Sequence, residues 1–260
     1  ALEADIGAQL FARTKRSVRL TDAGKLFLTD ARRILALSEQ AGETARRAER
    51  GEAGELRIGF TFSTPLTPLF ASVINRYRRA YPHVTLTLHE MATLRQLDGL
   101  AQRTLDLGFI RPPDSGHAEV LKLTPMRRDP LVAVLSTASP LARKKAIGML
   151  DLKAMPFVMY PPGAGTGIYP QIFRLCREAG FVPHVAHEAG EASTIIGLVA
   201  AGCGVSLLPK SFDRIRMDGV CYRPIADEGA TTTLLLAQRG DEASALVEAF
   251  VALALEAARE

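Results

Sequence analysis

The sequence predicts an α/β domain preceded by a charged β-hairpin and one long helix. Three patterns carry this expectation. Short apolar runs alternate with amphipathic segments from residue 54 onward, the texture of parallel βαβ units. Residues 27–48 hold a 3.5-residue repeat of apolar and small side chains, the period of a coiled-coil seam. Residues 13–19 (RTKRSVR) carry Arg13, Lys15, Arg16 and Arg19 without one acid.

The elements follow in order. Residues 1–7 (ALEADIG) form a short helix closed by Gly7 at a helix C-cap. Leu10 and Phe11 open an extended stretch, the basic cluster makes the tip, and Val18-Arg19-Leu20 returns, giving a hairpin. Thr21 suits an N-cap, with Asp22 in the first turn of the next helix. That helix runs to Arg50, and Phe27, Ala31, Ile34, Ser38, Ala41, Ala45 and Ala48 recur along it at spacings of four and three. Small alanines on such a seam let two backbones approach closely. Charged side chains, among them Arg32, Arg33, Glu39, Glu43 and Arg46, occupy the other faces. Packing against its own domain is the alternative, but so narrow a stripe on so long a helix gains little from one-sided burial. A dimerisation helix is therefore expected, ended by a hinge at Gly51 and Gly54. Beyond it, strands are expected at 56–61, 84–90, 105–110, 131–135, 157–160, 204–208 and 233–237. Helices are expected at 68–80, 93–102, 168–179, 193–201 and 243–258.

Composition narrows the function classes. The chain has 260 residues, 47% hydrophobic and 23% charged, enough for two modest cores or one large one. No run of eighteen apolar residues suggests a membrane span, and the first residues lack the order of a secretory signal, so a cytoplasmic location is expected. Cys176, Cys203 and Cys221 are far apart and odd in number, which fits reduced thiols better than a disulfide framework or zinc site. A net charge of +4 is only mildly basic. The cluster at 13–19 is therefore the feature suited to phosphate contact, although such a cluster taken alone is more often a solvated surface loop.

An ordered set of motifs now matches a known family. The run Leu10-Phe11-x-Arg13-x-x-Arg16-x-Val18-x-Leu20-Thr21-x-Ala23-Gly24 resembles the wing and linker-helix start of LysR-type transcriptional regulators. Leu56-Arg57-Ile58-Gly59, then Asp106-Leu107-Gly108, then residues 197–209 (GLVAAGCGVSLLP) resemble successive signatures of their sensor domain. The resemblance covers essentially the whole chain. It implies a sensor fold like type-II periplasmic binding proteins, two α/β lobes with an effector in the cleft. By that likeness residues 1–20 are a remnant of the winged helix-turn-helix and 21–53 the linker helix and hinge. Residues 54–129 with 239–260 make lobe I and 130–238 lobe II, the chain crossing near Arg128–Asp129 and returning near Arg239. The helix that would enter the major groove is expected to lie outside this sequence, so Arg13, Lys15 and Arg16 would grip phosphate with little base specificity. A homodimer through the linker helix, and a tetramer through the sensor domains, are implied likewise.

Effectors of open α/β sheets sit at the C-terminal ends of parallel strands. Three places satisfy that rule: Ser63 and Thr64 after the first strand, Thr93 after the second, and Arg111 after the third. Hydroxyls and free amides at helix starts bind carboxylates, and a guanidinium fork fits one in two-point fashion. Capping alone would also account for Ser63 and Thr93, and a surface ion pair for Arg111. From the second lobe, residues 160–168 (YPPGAGTGI) form a glycine-rich turn before a helix, with Gly165, Thr166 and Ile168 expected to face the cleft. No Lys-Ser/Thr follows its last glycine, so it is not a P-loop, and a flexible structural loop is the alternative. The stretches Glu90-Met91-x-Thr93 and Gly108-Phe109-x-Arg111 most resemble family members that govern aromatic-compound breakdown. That likeness implies an aromatic acid or a muconate-like acid as effector.

His184-x-x-His187 lacks a third ligand at suitable spacing, so no metal is expected, and no cofactor motif is present. No nucleophile elbow or Cys-His arrangement points to an enzyme. A transporter's solute-binding protein and an enzyme on the same fold are the rivals, the first disfavoured by the long helix.

Overall fold

The structure, a computed structural model, describes residues 1–14, 17–113 and 121–260. It divides into two compact units, residues 1–53 and 54–260.

In the first unit, helix α1 (Leu2–Ile6) ends at Gly7, whose φ of 71° is the left-handed cap glycine tolerates at no steric cost. Strands β1 (Phe11–Thr14) and β2 (Ser17–Leu20) pair antiparallel, Phe11 opposite Leu20 and Thr14 opposite Ser17. Lys15 and Arg16, expected at the hairpin tip, lie outside the described residues. The Glu3 carboxylate ties α1 to the hairpin by accepting the Leu10 and Phe11 amides at 2.6 and 2.9 Å, which holds its pKa below the usual glutamate value. Thr21 caps α2 (Asp22–Glu49) by accepting the Gly24 amide at 2.9 Å. Gly24 is forced by packing, since a Cβ there would stand 2.0 Å from the Leu10 carbonyl oxygen. Along α2, Gly24 is the buried residue, and Leu26, Ile34, Leu35 and Leu37 are each more than 60% exposed within the chain.

The second unit is built on one long strand. Strands β3 (Ala53–Phe60), β4 (His83–Glu90) and β5 (Leu107–Ile110) alternate with helices α3 (Pro68–Ala80) and α4 (Thr93–Ala101). β3 lies between β4 and β5, parallel to the latter. Strand β6 (Leu121–Ser136) then runs through two sheets. Its first part, Leu121 to Pro130, pairs antiparallel with β11 (Thr231–Arg239), which also pairs with β5. Its second part pairs with β9 (Ser206–Pro209) and β10 (Val220–Pro224). Pro125 sits where the ladder with β11 shifts register, and Pro130 ends that ladder, so neither missing amide breaks a regular run. Strands β7 (Pro156–Met159) and β8 (His184–Glu188) pair parallel, and β7 joins β9 through the Val158 and Val205 amides. Helices α5 (Tyr169–Glu178) and α6 (Ala192–Ala200) cover this second sheet, and α7 (Ala245–Arg259) ends the chain.

Two lobes result, and the fold is that of the type-II periplasmic binding proteins. Lobe I packs α3 and α7 on one face of its sheet, around Ile58, Val73, Tyr77, Phe109 and Phe250, and α4 on the other, over Leu97, Leu100, Leu105 and Ile110. Lobe II closes its own core around Phe157, Val158, Ile172, Ile195, Ile196 and Leu207. Cys176 belongs to that core, and burial pushes its thiol up to about 12.

Three expectations need adjustment. Residues 131–135 fall near the end of a strand more than three times as long as its apolar run, because 121–130 alternate in charge and exposure rather than reading as continuously apolar. The return to lobe I falls before Thr231, not near Arg239, since all of β11 is hydrogen-bonded to lobe I strands. His184 and His187 sit on β8 opposite Pro156 and Val158, in a strand the sequence reading did not include.

Candidate functional site

The C-terminal ends of β3 and β5 face lobe II across a cleft. After β3 the chain turns twice, the Thr64 amide donating to the Thr61 carbonyl and the Thr67 amide to that of Thr64. Thr67, not Ser63, caps α3 by accepting the Phe70 amide at 3.4 Å. Ser63 is thereby released from capping. Its hydroxyl oxygen accepts the Arg111 guanidinium, at 3.0 Å from Nη2 and 3.3 Å from Nε. Thr64 is fully buried, its hydroxyl 2.9 Å from that of Thr61, and does not line the cleft cavity.

Arg111 follows β5 and is 2% exposed, so the surface ion pair offered by its sequence position is ruled out. Nη2 also donates to Asp129 Oδ2 at 2.9 Å, and that same oxygen accepts the Ser211 hydroxyl at 3.0 Å. Ser63, Arg111, Asp129 and Ser211 thus form one continuous chain of polar contacts from lobe I, through the crossing strand, to the 3₁₀ turn Lys210–Arg214 of lobe II. Burial draws the Arg111 pKa down and the Asp129 carboxylate partly offsets this, while an arginine stays charged at any physiological pH. Nη1 is buried and has no partner among the described residues. A buried donor without an acceptor costs about 1–3 kcal/mol, so this atom marks a place for one.

The cavity beside it has a volume of about 260 Å³. Lobe I contributes Thr61, Phe62, Ser63, Glu90, Met91 and Arg111, and lobe II Tyr160, Thr166, Ile168, Glu191, Ala192 and Phe212. Phe62 and Phe212 stack across the cleft, rings 5.9 Å apart and 7° from parallel. The Thr166 hydroxyl is a second buried polar atom at the cavity without a partner among the described residues. Burial, then the Glu191 charge, raises the Tyr160 pKa, keeping its phenol a donor. Residues 190–192 line the wall where α6 begins, and the first amides of a helix have no intrahelical acceptor.

Of the expected effector residues, Ser63, Arg111, Thr166 and Ile168 therefore share the cavity. Thr93 and Gly165 instead meet in a small side crevice. Thr93 is the first residue of α4, with Ala92 at the cap, and its hydroxyl accepts the Arg111 amide at 3.2 Å. It steadies Arg111 from behind. The glycine-rich turn serves lobe contact. The Gly165 carbonyl accepts the Leu94 amide at 3.4 Å, and a Cβ on Gly167 would lie 2.6 Å from the Pro112 carbonyl oxygen. Sequence reasoning did not single out Asp129, Glu191 or Phe212 as site residues, and placed Asp129 only at the crossing between the lobes.

Comparison with known proteins agrees with this architecture. The LysR substrate binding domain family matches residues 49–259. An uncharacterised HTH-type transcriptional regulator of Escherichia coli K12, YnfL, is 44% identical over 91% of this chain and 79% of its own. Full-length CbnR, solved in complex with its target DNA, superposes with a TM-score of 0.81 at 26% identity, over 99% of this chain and 86% of that one. The BenM effector binding domain, solved with its effector benzoate, gives 0.69 at 29% identity, over 79% and 90%. These relatives are regulators or their sensor domains, not enzymes. The family match over most of the chain, on a two-lobed sensor fold carrying a wing-like hairpin and a long helix, shows that this protein belongs to the LysR-type transcriptional regulators.

Proposed function

We propose that the interlobe cavity binds a small carboxylate effector, and that its occupancy sets the DNA-bound arrangement of a cytoplasmic homodimer or homotetramer. The observation that carries the effector reading is Arg111 Nη1, a buried guanidinium nitrogen at the wall of the cavity without a partner among the described residues. A carboxylate there gains a charge-assisted hydrogen bond. Thr166 and the Tyr160 phenol supply further donors from the opposite lobe. The Phe62–Phe212 pair offers an aromatic wall, which supports an aromatic or muconate-like acid, as does the likeness to BenM with benzoate.

DNA contact is assigned to the hairpin, with Arg13, Lys15 and Arg16 on phosphates, by its likeness to CbnR on DNA. Dimerisation is assigned to α2 along Phe27, Ala31, Ile34, Ala41 and Ala45. The large apolar side chains this helix leaves exposed support that reading. Isothermal titration with benzoate and cis,cis-muconate tests the effector assignment. Saturable binding that weakens on Ser63→Ala and on Thr166→Val is expected. Binding unchanged by both substitutions would move the site elsewhere.

A further inference from the structure

The charge around the cavity narrows the effector class beyond a carboxylate, and this step rests on the carboxylate reading above. Arg111 is the cation at the wall, and Asp129, 2.9 Å away and equally buried, cancels its charge. The remaining charged side chains lining the cavity are both acidic: Glu90, which ends β4 on lobe I, and Glu191, at the N-cap position of α6 on lobe II with no side-chain capping bond. Neither forms an ion pair with a described residue. The cavity wall therefore carries two buried donors without a partner among the described residues, at Arg111 Nη1 and Thr166, and two exposed carboxylates, one from each lobe.

A dicarboxylate long enough to fill this space would bring its second charge toward the glutamates, which disfavours the muconate-like acid allowed by the broader reading. A neutral tail would leave them unmatched. A cationic tail satisfies both, and it would do so only when the lobes are together, because the two carboxylates come from opposite sides of the cleft. We propose that the effector is a small carboxylate bearing a protonated amine at its far end, its carboxylate at Arg111 and its ammonium between Glu90 and Glu191. Such a ligand prefers the closed arrangement by whatever its ammonium gains from the second lobe, which is the differential affinity a ligand-driven switch requires.

Two matched series of ligands test this by isothermal titration. The aromatic series is benzoate, 4-(aminomethyl)benzoate and terephthalate, alike in ring and first carboxylate and differing in the far group. The aliphatic series, pentanoate, 4-aminobutyrate and glutarate, serves a cleft too narrow for a ring. In whichever series binds, the zwitterion is expected to be the tightest and the dianion the weakest, each step about tenfold, from two partly exposed charge contacts. Glu90→Gln with Glu191→Gln should collapse the three affinities to within about threefold, the monocarboxylate and the dianion tightening and the zwitterion weakening. A dianion that binds as tightly as the zwitterion, or a ranking that survives the double substitution, overturns the charge assignment and leaves the carboxylate reading standing. Absence of binding by all six ligands overturns the carboxylate reading and this inference with it.

Discussion

Replacing Arg111 by methionine should cost the sensor unit much of its stability, and replacing Asp129 as well should give part of it back. The two side chains are 3% and 7% exposed and meet at 2.9 Å. Methionine preserves most of the aliphatic stem, so the loss is electrostatic rather than a cavity. The stranded Asp129 carboxylate keeps the Ser211 hydroxyl as its hydrogen-bond partner. Breaking a buried pair from one side costs about 3–5 kcal/mol, because the surviving charge has lost its counterion and cannot reach water. With a urea dependence of about 2–3 kcal/mol per molar, the unfolding midpoint should fall by about 1–2 M. Asp129→Asn should cost a similar amount, since Arg111 then keeps only Ser63. The double variant strands no charge and should lose clearly less than the two single losses added together. Urea melts of the four proteins measure all of this. A single-variant loss under about 1 kcal/mol, or strict additivity, would refute the pairing argument.

Three further outcomes follow from local geometry. Gly167→Ala should weaken effector affinity at least fivefold in titration with little change in melting temperature, because its Cβ would press on Pro112 and hold the lobes apart. Gly180→Ala is the control, with a φ of 79° but nothing within 4 Å of its Cβ, and should leave affinity as it is. Gly24→Ala should loosen the hairpin, since a 2.0 Å approach to the Leu10 carbonyl is relieved only by moving backbone; limited proteolysis within residues 1–20 would accelerate. Asp106 clamps β3 to β5 through the Arg57 amide and guanidinium. Burial raises its pKa, but the Arg57 contacts together outweigh burial and leave the pKa below the ordinary aspartate value. A group depressed in the folded state stabilises fully above its unfolded pKa, and loses that contribution as pH falls through the folded one. Asp106→Asn should therefore be less stable than the parent at neutral pH, with the gap closing below about pH 4 in denaturation curves.

The elements legible in the sequence are those with a clean local period. The α2 helix shows its heptad spacing and Thr21 cap, and β3, β5, α3 and α6 each show an apolar run or stripe bounded by turn residues. The first half of β6 was illegible because residues such as Lys122, Arg127 and Arg128 face outward beside the lobe I sheet, and its prolines argue against a strand until the bulge that seats Pro125 is seen. The site divides in the same way. Ser63, Arg111 and Thr166 stand next to strand ends or in a marked loop, so position alone nominated them. Asp129 and Ser211 act through partners 18 and 82 residues away, and no local pattern encodes that contact. Thr64 and Thr93 carried the same local signature as Ser63, yet neither lines the main cavity; the turn after β3 and the backing of Arg111 claim them instead.

The same polar chain that stabilises the unit also explains how a ligand at one atom can bear on both lobes. Asp129 stands one residue before Pro130, where β6 leaves the lobe I sheet and enters that of lobe II. A carboxylate arriving at Nη1 competes with Asp129 and Ser63 for the charge of a single guanidinium. Its arrival therefore changes the strength of contacts that reach Ser211 and the crossing strand without any side chain having to travel far. The interlobe contacts made by Gly165 and Gly167 lie beside this chain, on the backbone of Leu94 and Pro112. If ligand binding acts on lobe geometry through Arg111, Gly167→Ala and Asp129→Asn should alter effector affinity non-additively, because both work on the same closure. Independent losses from the two substitutions would mean that the guanidinium holds the ligand while lobe closure is decided elsewhere.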